Sequence, residues 1–453
     1  MSAHREIEFL QIAEEWEAAP LGREENPPLL EMRNGLTVEQ SKESGEHRIT
    51  RIETISDGTI ADDRVRYASG LREKDVEKYR LQRGDILFSH INSDPHLGKT
   101  AIARKDYDDL LHGMNLLLLR TNRRVLEPDF LHLVCCLYRQ KGVFVKICSR
   151  SVNQSSINQA KLKALEIPLP PLPEQRKIAG VLGLVQRAME QQERLIEKTT
   201  ELKKTLLHQL FTQGTRGEPQ KETDIGPVPE SWEVVKLGEV CTFISGGTPS
   251  KQKPEFWEGT IPWVSPKDMK RPRLHDVVDH ISDEALEDGS RLAPAGSIFV
   301  VIRGMILAKD VPVALAEVPM AFNQDMKAII PGERISSAFL LYSLGAFKRN
   351  LFEKVGRSAH GTMTLMSTEI SKFAIPLPDR KTQNEIATAL ETVETKFEHH
   401  RRKHATLSAL FRTLLHQLMT AQLRVHDLDL SEFGLDVVGS SQQKTRADAA
   451  GEY

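Results

Sequence analysis

Apolar positions along this chain follow two rhythms, and each occurs twice. From Ile386, apolar or bulky residues fall at Leu390, Val393, Phe397, His400, His404, Leu407, Phe411, Leu414 and Leu418, in alternating steps of four and three. The positions 208 residues earlier are Ile178, Leu182, Val185, Met189, Gln192, Ile196, Thr199, Lys203, Leu206 and Leu210. Steps of four and three are the heptad seam of an amphipathic helix. Each seam covers 33 residues, about 50 Å of helix at ~1.5 Å per residue. Helices are therefore expected over about 174–212 and 380–424. The prolines from Pro168 to Pro173 and from Pro376 to Pro378 fix where each can begin, since proline keeps the preceding residue extended. Leu182, Val185, Met189, Ile196 and Leu206 on the first helix, and Leu390, Val393, Phe397, Leu407 and Leu414 on the second, are the expected pairing residues.

Both seams turn polar near the middle. Antiparallel pairing about the midpoints would set Gln192 near His404 and Ile196 near His400, polar beside polar, because a buried polar residue can fix register. His399, His400 and His404 could instead offer metal ligands, but no carboxylate or cysteine joins them on the seam, so no metal site is assigned.

The second rhythm is short and strand-like. Asp85–Phe88, Thr100–Ala103, Ser297–Ile302 and Lys327–Ile330 are apolar runs, with Gly84 and Gly296 as turn residues before the first in each half. Short helices are expected at Pro128-Asp-Phe-Leu-His-Leu and Ser337-Ala-Phe-Leu-Leu-Tyr. The chain thus repeats as a unit. Ile167-Pro-Leu-Pro170 returns as Ile375-Pro-Leu-Pro378, and Thr205-Leu-Leu-His-Gln-Leu210 as Thr413-Leu-Leu-His-Gln-Leu418, without insertion between them. Gln175, Ile178 and Ala179 recur as Gln383, Ile386 and Ala387. Each copy opens on a Trp-Glu segment, at Trp16 and Trp232, here 216 residues apart, so the intervening stretches differ in length.

Length and charge sharpen this picture. A chain of 453 residues exceeds a single core and suits several domains. The expected divisions are a first variable domain at 1–164, clasp and helix at 165–214, a Gly/Pro-containing linker at 215–229, a second variable domain at 230–372, clasp and helix at 373–424, and a polar, acidic tail at 425–453 expected to be disordered. The formal charge is −2, yet residues 120–163 carry nine Lys/Arg against two acids and residues 327–372 carry seven against three. The same region of each copy is therefore locally basic, which points to a polyanion partner. Apolar runs are short and no signal-peptide core opens the chain, so a soluble, cytoplasmic protein without membrane contact is expected.

Chemistry is hard to find. Cys135, Cys136, Cys148 and Cys241 lack the spacing of a disulfide framework or zinc site. Gly98-Lys99-Thr100 ends like a phosphate loop, but Ser93 stands where the first glycine belongs and Asp94-Pro95-His96 fills the cradle. Asn26-Pro27-Pro28 is followed by Leu29, where an amino-methyltransferase would carry an aromatic ring, and no Gly-rich cofactor turn precedes it. No catalytic residues are assigned, and the chain is read as a non-enzyme with no cofactor of its own. The competing classes are a coiled-coil interaction scaffold, which leaves the doubled basic regions unexplained, and a self-contained methyltransferase, which lacks its motifs.

The motif set resembles the specificity subunits of type I restriction-modification systems, from Trp16 to about Leu423. The most specific parts are Ile167-Pro-Leu-Pro-Pro-Leu-Pro-Glu-Gln-Arg-Lys-Ile-Ala179, Leu206-Leu-His-Gln-Leu-Phe211 and Gly226-Pro-Val-Pro-Glu-Ser-Trp-Glu-Val-Val-Lys-Leu-Gly238. The second clasp departs from the pattern: Glu174 becomes Thr382, although Gln383 is kept, and this bears on how tightly that clasp holds its partner. The resemblance implies an α+β chain with an internal pseudo-twofold repeat, in which two mixed α/β target recognition domains are held apart by two long antiparallel coiled-coil helices. It also implies that each domain reads half of a bipartite, asymmetric double-stranded DNA site. Two methyltransferase subunits, bringing S-adenosylmethionine, and restriction/translocase subunits would be the protein partners. Basic and amide residues in the variable domains are then the candidate DNA contacts: Arg123, Arg124, Lys146, Arg150, Asn153 and Gln154 in the first, and Lys251, Lys253, Lys267, Lys270, Arg271, Arg273, Arg357 and His360 in the second.

Overall fold

The computed structural model describes residues 4–25, 27–55, 58–151, 154–358 and 361–428. Contacts divide the chain into two units, residues 1–191 with 404–453, and residues 192–403. Each unit therefore holds one variable domain, the first half of one long helix and the second half of the other.

The same antiparallel framework is built twice. In the first unit a sheet runs in the order Leu30–Asn34, Leu117–Thr121, Ile86–Phe88, Thr100–Ile102. In the second the order is Cys241–Ser245, Met326–Pro331, Ile298–Val301, Val313–Ala316, with Arg273–Leu274 added in parallel at the edge. The strands Ile86–Phe88 and Ile298–Val301 are buried along their whole length; helix Pro128–Gln140 packs on Thr100–Ile102 beside the first, and Ser337–Ala346 on the second and its neighbour Val313–Ala316. Gly84 and Gly296 precede these strands at φ of 91° and 88°, a left-handed turn that glycine adopts without steric cost. The opening Trp-Glu segment and the clasp, far apart in sequence, form one ladder in each unit: Glu17–Pro20 against Glu166–Leu169, and Glu233–Lys236 against Ala374–Leu377.

The long helices span Leu172–Gln213 and Arg380–Met419. The first ends at Gly214, whose φ is 69°; the second stops five residues before the expected 424, because Ala421 takes the same left-handed turn at φ 54°. In the first unit Ile178, Leu182, Val185 and Met189 share a core with Phe411, Leu414, Leu415 and Leu418. In the second, Leu206, Leu210 and Phe211 share one with Ile386 and Leu390. The start of each helix thus packs on the end of the other, which is antiparallel pairing. Val393 is buried outside these clusters, and Ile196, Phe397 and Leu407 are half-buried outside them.

The middle of the pair is polar, as the two seams imply. Gln192 Oε1 meets His400 Nδ1 at 2.9 Å. Gln192 and His400 are each other's counterparts in the repeat. Farther along the pair Lys203 Nζ donates to Glu394 Oε1 at 2.7 Å, and the Tyr342 hydroxyl donates to Glu394 Oε2 at 2.9 Å.

The expected linker holds a small hairpin, Gln220–Lys221 against Val228–Pro229. The expected tail begins as a turn, Val425–Asp427, with Val425 buried, and from residue 429 lies outside the described residues. Cys135, Cys136, Cys148 and Cys241 are free thiols. No described helix is long and apolar enough to cross a membrane.

Candidate nucleic-acid interface

Each domain is locked to its clasp by one buried glutamine. Gln175 donates to the Pro170 carbonyl at 2.8 Å and the Val125 carbonyl at 3.0 Å, and accepts the Glu127 N–H at 2.9 Å. Gln383 repeats every contact: it donates to Pro378 at 3.0 Å and Arg334 at 2.9 Å, and accepts the Ser336 N–H at 2.9 Å. Glu127 and Ser336 are the N-caps of the covering helices, so the clamp satisfies a helix-end donor from outside the helix. The first clasp adds Glu174, which accepts the Trp16 indole N–H at 3.1 Å and lies 3.4 Å from Arg424. Where Thr382 replaces Glu174, Asp379 caps the second helix instead, accepting the Thr382 N–H at 2.8 Å; that hydrogen bond leads the causes holding its carboxyl below the usual range. The sequence departure therefore leaves the clamp itself intact.

On the far side of the central strands each domain carries a hairpin. In the first, Ser149–Ser151 pairs with Gln154–Ser156, which pairs with Ile91–Asn92 just beyond the strand Ile86–Phe88. In the second, Gly356–Arg357 pairs with Met363–Thr364, which bridges to Arg303 just beyond Ile298–Val301. Gly304 N–H donates to the Met363 carbonyl at 3.0 Å. Both hairpins lie in the segment just before the clasp, one of the stretches whose sequence offers candidate DNA contacts.

The candidates themselves divide. Arg150 lies on the first hairpin, exposed, 3.4 Å from Asp94, which also accepts the Ser155 hydroxyl. Gln154 is exposed beside it, and Lys146 sits 5.9 Å from the Phe9 ring in the short helix before the hairpin. Arg357 is exposed on the second hairpin. Asn153 and His360 lie outside the described residues. Arg123 and Arg124 are exposed but belong to the opposite end of the central strand, with Arg123 donating to the Arg83 carbonyl before it. Lys251 is exposed, and Lys253 sits 4.4 Å from the Phe256 ring and 3.6 Å from Asp288. Lys267 binds Asp279 at 2.6 Å, while Lys270 and Arg271 are exposed in the loop that follows.

Arg273 is different. Its guanidinium bonds Glu391 on the second long helix and lies 3.8 Å from Glu317, with only 28% of its side chain exposed. It ties the domain to the second long helix. Sequence reasoning also passed over Arg303, Met305 and Ile306, although Leu97-x-Lys99 returning as Leu307-x-Lys309 marks the turn that carries them. Among the described residues no cluster of His, Cys, Asp or Glu could hold a metal ion.

Buried groups of the first domain are tuned for structure. Asp85 takes a two-pronged hydrogen bond from Arg120, 2.7 Å at each oxygen, which raises the arginine pKa. Burial holds His112 down to about 4, with its ring 3.0 Å from the Leu116 carbonyl, and likewise His90 to about 4.

A sequence profile described as "Type I restriction modification DNA specificity domain" matches residues 29–201 and 229–409. The chain is 34% identical over 432 residues to the type I restriction enzyme MjaX specificity subunit of Methanocaldococcus jannaschii, covering 93% of this chain and 96% of that one. It is 33% identical over 241 residues to the EcoR124I/EcoR124II specificity subunit of Escherichia coli, covering 53% and 57%. Among solved structures, the S subunit of the type I system from M. genitalium superposes with a TM-score of 0.59 at 15% identity, over 89% of this chain and 96% of that one, a likeness of fold.

Proposed function

Because the chain belongs to the type I restriction-modification DNA specificity family, we propose that its two recognition domains, residues 1–164 and 230–372, each read one half of a bipartite, asymmetric duplex site. It is the specificity subunit of such a system and not the catalytic one. The observation that carries the half-site reading is the doubled construction: one clamp, one covering helix and one hairpin per domain, with different side chains on the two hairpins. A shared scaffold with divergent surface residues is what two readers of different sequences need. Arg150 and Gln154 on one hairpin and Arg357 on the other supply cations and amides for phosphates and base edges.

The long helices set the spacing of the two halves and dock two methyltransferase subunits, with restriction/translocase subunits joining them. S-adenosylmethionine is held by the methyltransferase partners, so the complex works on cellular DNA in the cytoplasm while this chain only addresses it. Lys251, Lys270 and Arg271 serve as backbone contacts in the second domain, giving affinity without sequence information.

Single-molecule methylation mapping of the host genome, with and without the gene, tests this. Loss of one bipartite adenine motif upon deletion is the expected result. An unchanged map would overturn the reading.

A further inference from the structure

In each domain a 3-10 turn follows the central strand, next to the hairpin. It is Asp94–His96 in the first and Met305–Ala308 in the second. Leu97 and Leu307 pin these turns into their domains, each buried, and Lys99 and Lys309 follow two residues on. Aligned on those leucines, Pro95 and His96 stand where the second domain has Met305 and Ile306. The turns occupy equivalent places with different backbones, and the outward pair is exchanged.

The second pair is costly to leave in water. Met305 is 64% exposed and Ile306 43%. Of the large apolar side chains exposed among the described residues, these are the only two adjacent in sequence. Neighbouring exposed apolar groups mark a surface that something covers. The rim says what: Arg303 stands just before the turn, 62% exposed and 3.9 Å from Asp325, Lys309 is exposed just after it, and Arg357 is exposed on the adjoining hairpin. A cationic rim matches a phosphate backbone. Met305 and Ile306 carry no hydrogen-bonding group suited to base edges, so they cannot read donors or acceptors. The one apolar feature on the base edges of the major groove is the thymine 5-methyl group.

We propose that Met305 and Ile306 pack against thymine 5-methyl groups in the half-site read by the second domain, making this turn a specificity-determining element. The proposal rests on the half-site reading above and adds to it the class of base feature recognised.

The test uses the intact chain assembled with its modification partners, once methylation mapping has given the site. Each thymine in both halves is replaced in turn by deoxyuridine, which lacks only the methyl group. At one or two positions, all in one half, the wild-type complex should bind roughly fourfold more weakly per methyl lost. Met305→Ala and Ile306→Ala should weaken binding to the thymine duplex and be indifferent to deoxyuridine at those positions. Deoxyuridine that costs the wild type nothing, or costs the variants the same, overturns the proposal. So does a loss in the variants that is independent of the methyl groups, which would mark a wedge between base pairs instead. Failure of the half-site reading is distinct, because the wild-type complex would then show no preference for the mapped duplex at all.

Discussion

Replacing Gln175 with leucine should unlock the first domain from its clasp while leaving the second intact. Leucine approximates the shape of glutamine but removes three hydrogen bonds at once, to Pro170, Val125 and Glu127, at 2.8, 3.0 and 2.9 Å. Gln175 is wholly buried, so no water replaces those partners. At about 1 kcal/mol net per hydrogen bond the loss is roughly 3 kcal/mol, and more if the orphaned Glu127 N–H stays dry. Gln383→Leu should cost the same in the other unit, since its three bonds are 3.0, 2.9 and 2.9 Å. A two-unit chain need not melt in one step, so a single melting temperature is a poor readout. Hydrogen exchange resolved by peptide is better: Gln175→Leu should speed exchange across 125–140 and 165–180, and Gln383→Leu across 334–346 and 373–388. A stability change below about 1 kcal/mol for both variants, or faster exchange in the same unit for both, would refute the reasoning.

Leu182→Asp and Leu390→Asp place a carboxylate among fully buried apolar side chains; each should cost about 3 kcal/mol or more and expose its unit to proteolysis, and unchanged melting would sink the packing described. Arg357→Ala should lower the slope of log affinity against log salt by about 0.9 if it meets a phosphate, whereas Arg273→Ala should leave the slope alone and destabilise the second unit, because its partners are Glu317 and Glu391. Below pH 6.5 the unfolded chain protonates its histidines while His112, held to about 4, stays neutral, so stability should fall as pH drops from 6.5 towards 4, by up to about 3 kcal/mol for this group. A His112→Gln variant should show a shallower pH dependence of melting between pH 7.5 and 5; an unaltered slope would remove His112 as a cause.

The helices were legible because a heptad seam bounded by prolines leaves few alternatives; the first ran one or two residues beyond its expected ends, and the second stopped five short where Ala421 took a turn usually left to glycine. The central strands were legible from apolar runs behind Gly84 and Gly296. Side-chain pairing within the helix pair was less legible: periodicity put polar residues at the middle of both seams, but that Gln192 meets His400 depends on side-chain reach across the pair. Among the site candidates, Arg150, Gln154 and Arg357, expected in loops before the clasp, lie on matching hairpins. Arg273 looked like the lysines and arginines around it because its partner Glu391 is 118 residues away. Met305 and Ile306 were invisible to a search for cations, since what marks them is exposure, which only the folded chain defines.

The division of the chain between its units has a consequence for synthesis. The second unit is continuous, residues 192–403, whereas the first needs 404 onward to complete its core. Ile178 and Leu182 emerge from the ribosome long before Phe411, Leu415 and Leu418, the residues that cover them. At ~5–20 residues per second, the first unit waits roughly 10 to 50 s with that core incomplete. The unit that begins the chain is therefore the last to be finished, and the newborn protein depends on whatever shields the start of its first long helix until the end of the second arrives.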